Sequence, residues 1–128
     1  MKTVGYIFPV TAFVVFVQAI TGAATVLNFY DFGAHLVSGY VVAIFALVSV
    51  VVAFISKPKY SALRYSSLVL FVLALIQGAI GFQAQTSDQL VVIHFVNALI
   101  MFGISIAMTF YAFRWGRMQP APATPGPS

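Results

Sequence analysis

The 128-residue chain is 62% hydrophobic and 6% charged, with a formal net charge of +4 and no cysteine, and its mean hydropathy is +1.04. A soluble domain of this length lacks the interior to bury so much apolar side chain, and six basic plus two acidic residues do not make a charged surface. The missing thiols exclude thiolate zinc sites, iron–sulfur clusters and covalently attached haem; six dispersed cations form no stripe for nucleic acid.

Hydropathy divides the chain into four apolar runs, at about 6–27, 32–56, 62–84 and 89–113. Each has about 20 residues or more, enough to cross a hydrocarbon core of about 30 Å at about 1.5 Å per residue. A spanning segment must satisfy its own backbone hydrogen bonds, which predicts helices, and no ten-residue alternating pattern of a barrel is present. The first run, preceded by Lys2 and ending in Thr21-Gly22-Ala23-Ala24, also admits a cleavable signal segment over 1–25. Its length, and its share in an internal repeat, favour a retained helix.

The links are short: Asn28-Phe29-Tyr30-Asp31, then one opened by Lys57-Pro58-Lys59, then Gln85-Thr86-Ser87-Asp88. Pro58 breaks any continuous helix there, and short links make successive helices antiparallel. The expected fold is an all-α membrane protein: a four-transmembrane-helix bundle over 1–117, made of two tandem helical hairpins. Residues 118–128 form a proline-rich tail, Q-P-A-P-A-T-P-G-P-S from Gln119, with no apolar face to bury and expected to be disordered. In that threading Lys2, Lys57, Lys59, Arg64, Arg114 and Arg117 fall on one side and Asp31 and Asp88 on the other. The positive-inside rule then predicts a multi-pass plasma-membrane protein with both termini cytoplasmic. Tyr111 and Trp115 suit an interfacial aromatic belt, and Met101 and Met108 suit packing.

The repeat carries the candidate chemistry. The only two histidines, His35 and His94, are 59 residues apart, and Q-A-I-T-G at Gln18–Gly22 recurs with the same offset as Q-G-A-I-G at Gln77–Gly81. An offset of two spans returns the chain in the same direction, so equivalent positions face each other across an axis along the membrane normal. His35 and His94 are then expected at one depth, near the outer face, as metal ligands: the axial pair of one haem B. Gly39 and Ala98, four residues after each histidine and on the same helix face, and Gly22 and Gly81 on the preceding helices, are expected to leave room for the macrocycle or for close helix contact. Gln18 and Gln77 are expected to meet a histidine's second N–H or a propionate, with a backbone carbonyl an equal acceptor for that N–H. No outer-side Lys or Arg exists for the propionates, which leaves water, Gln, Asn28, Tyr30 or backbone donors. Zinc would want three or four ligands; no nucleophilic triad or phosphate loop stands out, and no acid lies within the spans for a proton relay.

The stretch Leu75-Ile76-Gln77-Gly78-Ala79-Ile80-Gly81, followed by Leu90-Val91-Val92-Ile93-His94-Phe95, resembles the third and fourth helices of one half of haem A synthase. Asp31-Phe32-Gly33-Ala34-His35-Leu36-Val37-Ser38-Gly39 looks like that family's second helix, whose ligand histidine is followed by small residues. The resemblance spans nearly the whole chain up to the tail. It implies a four-helix haem-binding bundle with His35 and His94 as the axial pair. The chain departs from the family in having one bundle where members commonly have two, Phe32 where the family has a glutamate, and no loop cysteine pair.

The expected function is therefore a b-type cytochrome performing one-electron transfer, with a quinone, an extracytoplasmic donor or another membrane subunit as partner. A haem-modifying enzyme of the haem A synthase type, its eight-helix form rebuilt as a homodimer, is a second expectation. A cofactor-free structural subunit of a respiratory complex is a third. It rests on the fact that a transmembrane histidine or a repeated Gln and Gly can serve packing alone.

Overall fold

The computed structural model describes residues 5–29, 31–56 and 61–117, and among these there is no strand. Four helices follow one another: α1 (Ile7–Val26), α2 (Phe32–Ile55), α3 (Ser61–Ala84) and α4 (Asp88–Arg117). All four are long and apolar enough to cross a membrane. The expected spans hold to within a residue or so except at the end of the fourth, where α4 continues to Arg117. Arg114 and Arg117 end the apolar run without ending the helix, because cations in a last turn favour the helix C-terminus.

Local chemistry sets the helix ends at one side of the bundle. Asn28 adopts a left-handed conformation (φ 60°) just past α1. Its N–H bonds Thr25 O at 3.0 Å, and the Phe29 N–H bonds Ala24 O at 2.8 Å. This is a Schellman stop with asparagine, one of the few side chains that tolerate that conformation. The Asp31 carboxylate then caps α2 by accepting from the Ala34 N–H at 3.3 Å. Tyr30, named above for the propionates, lies outside the described residues, as do Lys2, the Lys57-Pro58-Lys59 link and the 118–128 tail.

The helices form a ring in which α1 packs on α2, α2 on α3, α3 on α4 and α4 on α1. Thr11 meets Ser49 near one end of the first hairpin and Gln18 meets His35 toward the other, so α1 and α2 run antiparallel. The interior is rich in small and weakly polar groups, with Ala12, Ala46, Ala53, Ala74, Ala112, Ser49, Ser67 and Ser105 buried beside Phe8, Leu63, Leu70, Met101 and Met108. Large side chains such as Phe13, Ile55 and Phe110 face outward. Such a distribution would be inverted for water, and it suits lipid, where small residues let backbones approach and apolar bulk has no reason to be inside. Three buried hydroxyls are satisfied within their own helices, Thr11 on Ile7 O, Ser67 on Arg64 O and Ser105 on Phe102 O, each at 2.8 Å, and Ser49 is satisfied across helices by Thr11. An unpaired polar group in a bilayer is expensive by several kcal/mol. Trp115 is buried against the bundle, whereas Tyr111 is exposed. Met101 and Met108 are core residues.

The burial pattern of the second hairpin follows the first at the 59-residue offset. On α1 and α3 the buried pairs are Phe8 and Ser67, Thr11 and Leu70, Val15 and Ala74, and Gln18 and Gln77. On α2 and α4 they are Val42 and Met101, Ala46 and Ser105, Ser49 and Met108, and Ala53 and Ala112. The inward positions match while their chemistry varies. Thr11 and Ser49 share a hydrogen bond of 2.8 Å, and their counterparts Leu70 and Met108 both sit in the apolar core.

Candidate cofactor site

The two histidines stand on diagonal helices. His35 follows the first residue of α2 by three positions and His94 follows that of α4 by six. Their rings face each other with centroids 6.0 Å apart and planes at 74°. Among the described residues no group of three or more His, Asp or Glu converges. The two imidazoles are the nitrogen donors that this end of the bundle brings together.

Each ring is seated against a glycine of its own hairpin. A Cβ on Gly22 would lie 2.8 Å from His35 Cε1, and one on Gly81 would lie 2.9 Å from His94 Cε1. The two glycines thus make room for the imidazoles themselves. Gly39 opens toward the Gln18 amide, 3.2 Å from where its Cβ would be, and Ala98 at the equivalent place is half-buried.

The glutamines act on the backbone. Gln18 Nε2 donates to His35 O at 3.2 Å, and Gln77 Nε2 donates to His94 O at 3.0 Å. Their carbonyl ends are held in turn: Ser38 donates to Gln18 Oε1, and Asn97 donates to Gln77 Oε1 at 2.6 Å. Asn97 also donates to Leu73 O at 3.2 Å. Both amides are buried. Each glutamine therefore clamps the helix turn that carries its histidine, a role the sequence reading had assigned to contact with the ring or a propionate. Only Gln18 also approaches an imidazole nitrogen, with its Nε2 at 3.4 Å from His35 Nε2.

One site residue escaped the sequence reading. Thr21 Oγ1 lies 3.4 Å from His35 Nδ1 and donates its own proton to Gln18 O at 3.0 Å. Its signal was its place three residues after Gln18, on the same helix face, inside a motif read only for its first and last letters. The second hairpin has Ile80 at that place, and His94 Nδ1 is buried with no hydrogen-bond partner.

The described charges segregate along the helices. Arg64 lies in the first turn of α3, and Arg114 and Arg117 in the last turn of α4, while Asp31 and Asp88 stand at the starts of α2 and α4 beside the histidines. Comparison with protein families, with curated proteins and with solved structures gives no match for this chain.

Proposed function

We propose that the chain is an integral membrane b-type cytochrome in which His35 and His94 hold one haem B for one-electron transfer. The observation carrying this reading is the facing imidazole pair, 6.0 Å apart, with each ring seated on a glycine and each carrier turn clamped by a glutamine. The resemblance to one half of haem A synthase supports the same pair. The two hairpins are, on this reading, copies of one unit, each contributing one ligand.

A bound haem would supply one-electron chemistry here, and His35 and His94 are the residues that would hold it. The residues do the rest. The Gln18 and Gln77 clamps fix the height of each imidazole, Gly22 and Gly81 admit the rings, and the apolar bundle keeps bulk water from the site. The charge distribution supports a plasma-membrane orientation with the histidine end outside. On that orientation the electron partner would meet the bundle at that face: a quinone, an extracytoplasmic redox protein or a neighbouring membrane subunit.

The test is a reduced-minus-oxidised optical spectrum of the detergent-purified protein with pyridine haemochrome quantification, beside His35→Ala and His94→Ala. Sharp low-spin b-type bands that vanish or turn high-spin in either variant are expected. A protein that stays colourless after haem addition, with both variants folded as the parent, would overturn the reading and leave a structural subunit.

A further inference from the structure

At the end of the bundle away from the histidines, positive charge is left unbalanced on the outer face of α4. Arg114 and Arg117 are both exposed, while their neighbours Ala112 and Trp115 are buried, so the two side chains leave the helix on its lipid-facing side. With Phe110, Tyr111 and Phe113 they line a cleft of about 500 Å³. The chain has two acidic side chains, Asp31 and Asp88, at the starts of α2 and α4. Arg114 lies roughly 40 Å along α4 from Asp88 at about 1.5 Å per residue, so no acidic side chain of this chain reaches the pair.

A second feature lies below the cleft on the same helix. A groove of about 320 Å³ opens between α1 and α4, lined by Ala12, Phe13 and Phe16 of one and Phe102, Ile106 and Thr109 of the other. The Phe16 and Phe102 rings pack there at 5.6 Å. These side chains are hydrocarbon apart from the Thr109 hydroxyl, which is engaged by Ser105 O at 2.9 Å. Phe102, Ile106, Phe113 and Arg117 follow one another at helical spacing and share a stripe of α4, so the groove leads toward the arginines. Arg114 and Arg117 stand roughly 8 and 12 Å beyond Thr109 along the axis. Apolar groove and cationic cleft thus come in the order in which a phospholipid presents its acyl chain and its phosphate.

We propose that this face of α4 holds one anionic phospholipid, with its phosphate on Arg114 and Arg117 and an acyl chain in the groove between α1 and α4. A guanidinium pairs with phosphate through two parallel N–H bonds, and basic pockets beside membrane helices take acidic headgroups. A zwitterionic headgroup brings its own cation to the cleft and is disfavoured there. Free phosphate would satisfy the arginines but has no use for the groove. At the 59-residue offset the first hairpin has Ile55 and Pro58 in place of the two arginines, so one such lipid per chain is expected. The proposal stands on the spanning helices and is independent of the haem reading.

The experiment is native mass spectrometry of the detergent-purified full chain, titrated with phosphatidylglycerol, with phosphatidylcholine of the same acyl chains and with inorganic phosphate. One phosphatidylglycerol per chain is expected, bound more tightly than either alternative. Arg114→Gln with Arg117→Gln is expected to weaken it about 30-fold, roughly fivefold for each arginine near an anionic headgroup. Lys57→Gln with Lys59→Gln removes the same charge elsewhere and is expected to leave the affinity unchanged. Ile106→Trp, at an exposed position of the groove wall, is expected to fill the groove and weaken binding with both arginines intact. Equal binding of phosphatidylcholine would overturn the proposal, as would a loss in the lysine pair as large as that in the arginine pair. Phosphate binding as tight as phosphatidylglycerol, or an unchanged affinity in Ile106→Trp, would overturn the lipid assignment. A dimeric mass without bound lipid would give the face to a second copy of the chain and overturn it as well.

Discussion

Alanine at Gly22 or Gly81 gives a direct test of how the imidazoles are seated. The added Cβ would lie 2.8 Å from His35 Cε1 or 2.9 Å from His94 Cε1, whereas non-bonded carbons settle at about 3.5–4.0 Å. Each ring must therefore retreat by roughly 1 Å, and because the obstructed atom is the tip of a side chain, the ring gives way before the helices do. Overpacking of this kind costs about 1–3 kcal/mol, offset by about 0.5–1 kcal/mol for replacing a helical glycine with alanine. Stability is expected to fall by between about 0 and 2.5 kcal/mol, the difference of those two ranges. Metal–ligand bonds, by contrast, tolerate only about 0.2 Å. Gly22→Ala and Gly81→Ala are thus expected to keep their helix content by circular dichroism while haem per protein falls tenfold or more. Gly78→Ala and Gly103→Ala, where an added Cβ meets nothing within 4 Å, are expected to retain full haem. Full haem and an unchanged low-spin spectrum in the Gly22 and Gly81 variants would refute the seating argument.

Removing the Gln77–Asn97 contact in a double-mutant cycle of Gln77→Leu and Asn97→Leu should give a coupling of about 0.6–1.7 kcal/mol, the range for hydrogen bonds between membrane helices, by unfolding in mixed micelles; additivity of the two changes would argue against the clamp. Thr11→Leu with Ser49→Met installs the second hairpin's apolar pair in the first. The double variant is expected to be more stable than the sum of the single changes predicts, because each single leaves a buried hydroxyl without its cross-helix partner. The absence of cysteine gives a clean background for labelling topology. Asp31→Cys and Asp88→Cys are expected to react with a membrane-impermeant maleimide in intact cells and Arg117→Cys only after lysis; the reverse pattern would invert the proposed orientation.

Four helices were legible because the physical signal for a spanning helix is the apolar run itself, and here the runs are long and separated by short polar links. The end of α4 was less legible, since Arg114 and Arg117 lower hydropathy while favouring a helix terminus. The pairing of His35 with His94 could be anticipated from a shared offset, which needs only direction and register. What Gln18, Gln77, Gly22 and Gly81 touch could not. A glutamine in an apolar helix announces that it needs a partner, but a ring nitrogen and a backbone carbonyl one bond network away are equally good acceptors from sequence. A glycine announces room without saying for what. The burial of Trp115 was hidden for a similar reason: an indole near a helix end can face lipid or a crevice between helices, and only the packing of α4 chooses.

The diagonal placement of the histidines has a consequence for how such a protein is made. Everything that steadies His35 comes from α1 and α2, and everything that steadies His94 comes from α3 and α4, whereas the confrontation of the two rings spans both pairs. If the bundle holds a haem as proposed, its site would be complete only once the second hairpin docks on the first along the α2–α3 and α1–α4 seams. Loading would then be the last event of assembly, and a product holding one hairpin would carry a single cradled imidazole with nothing opposite it.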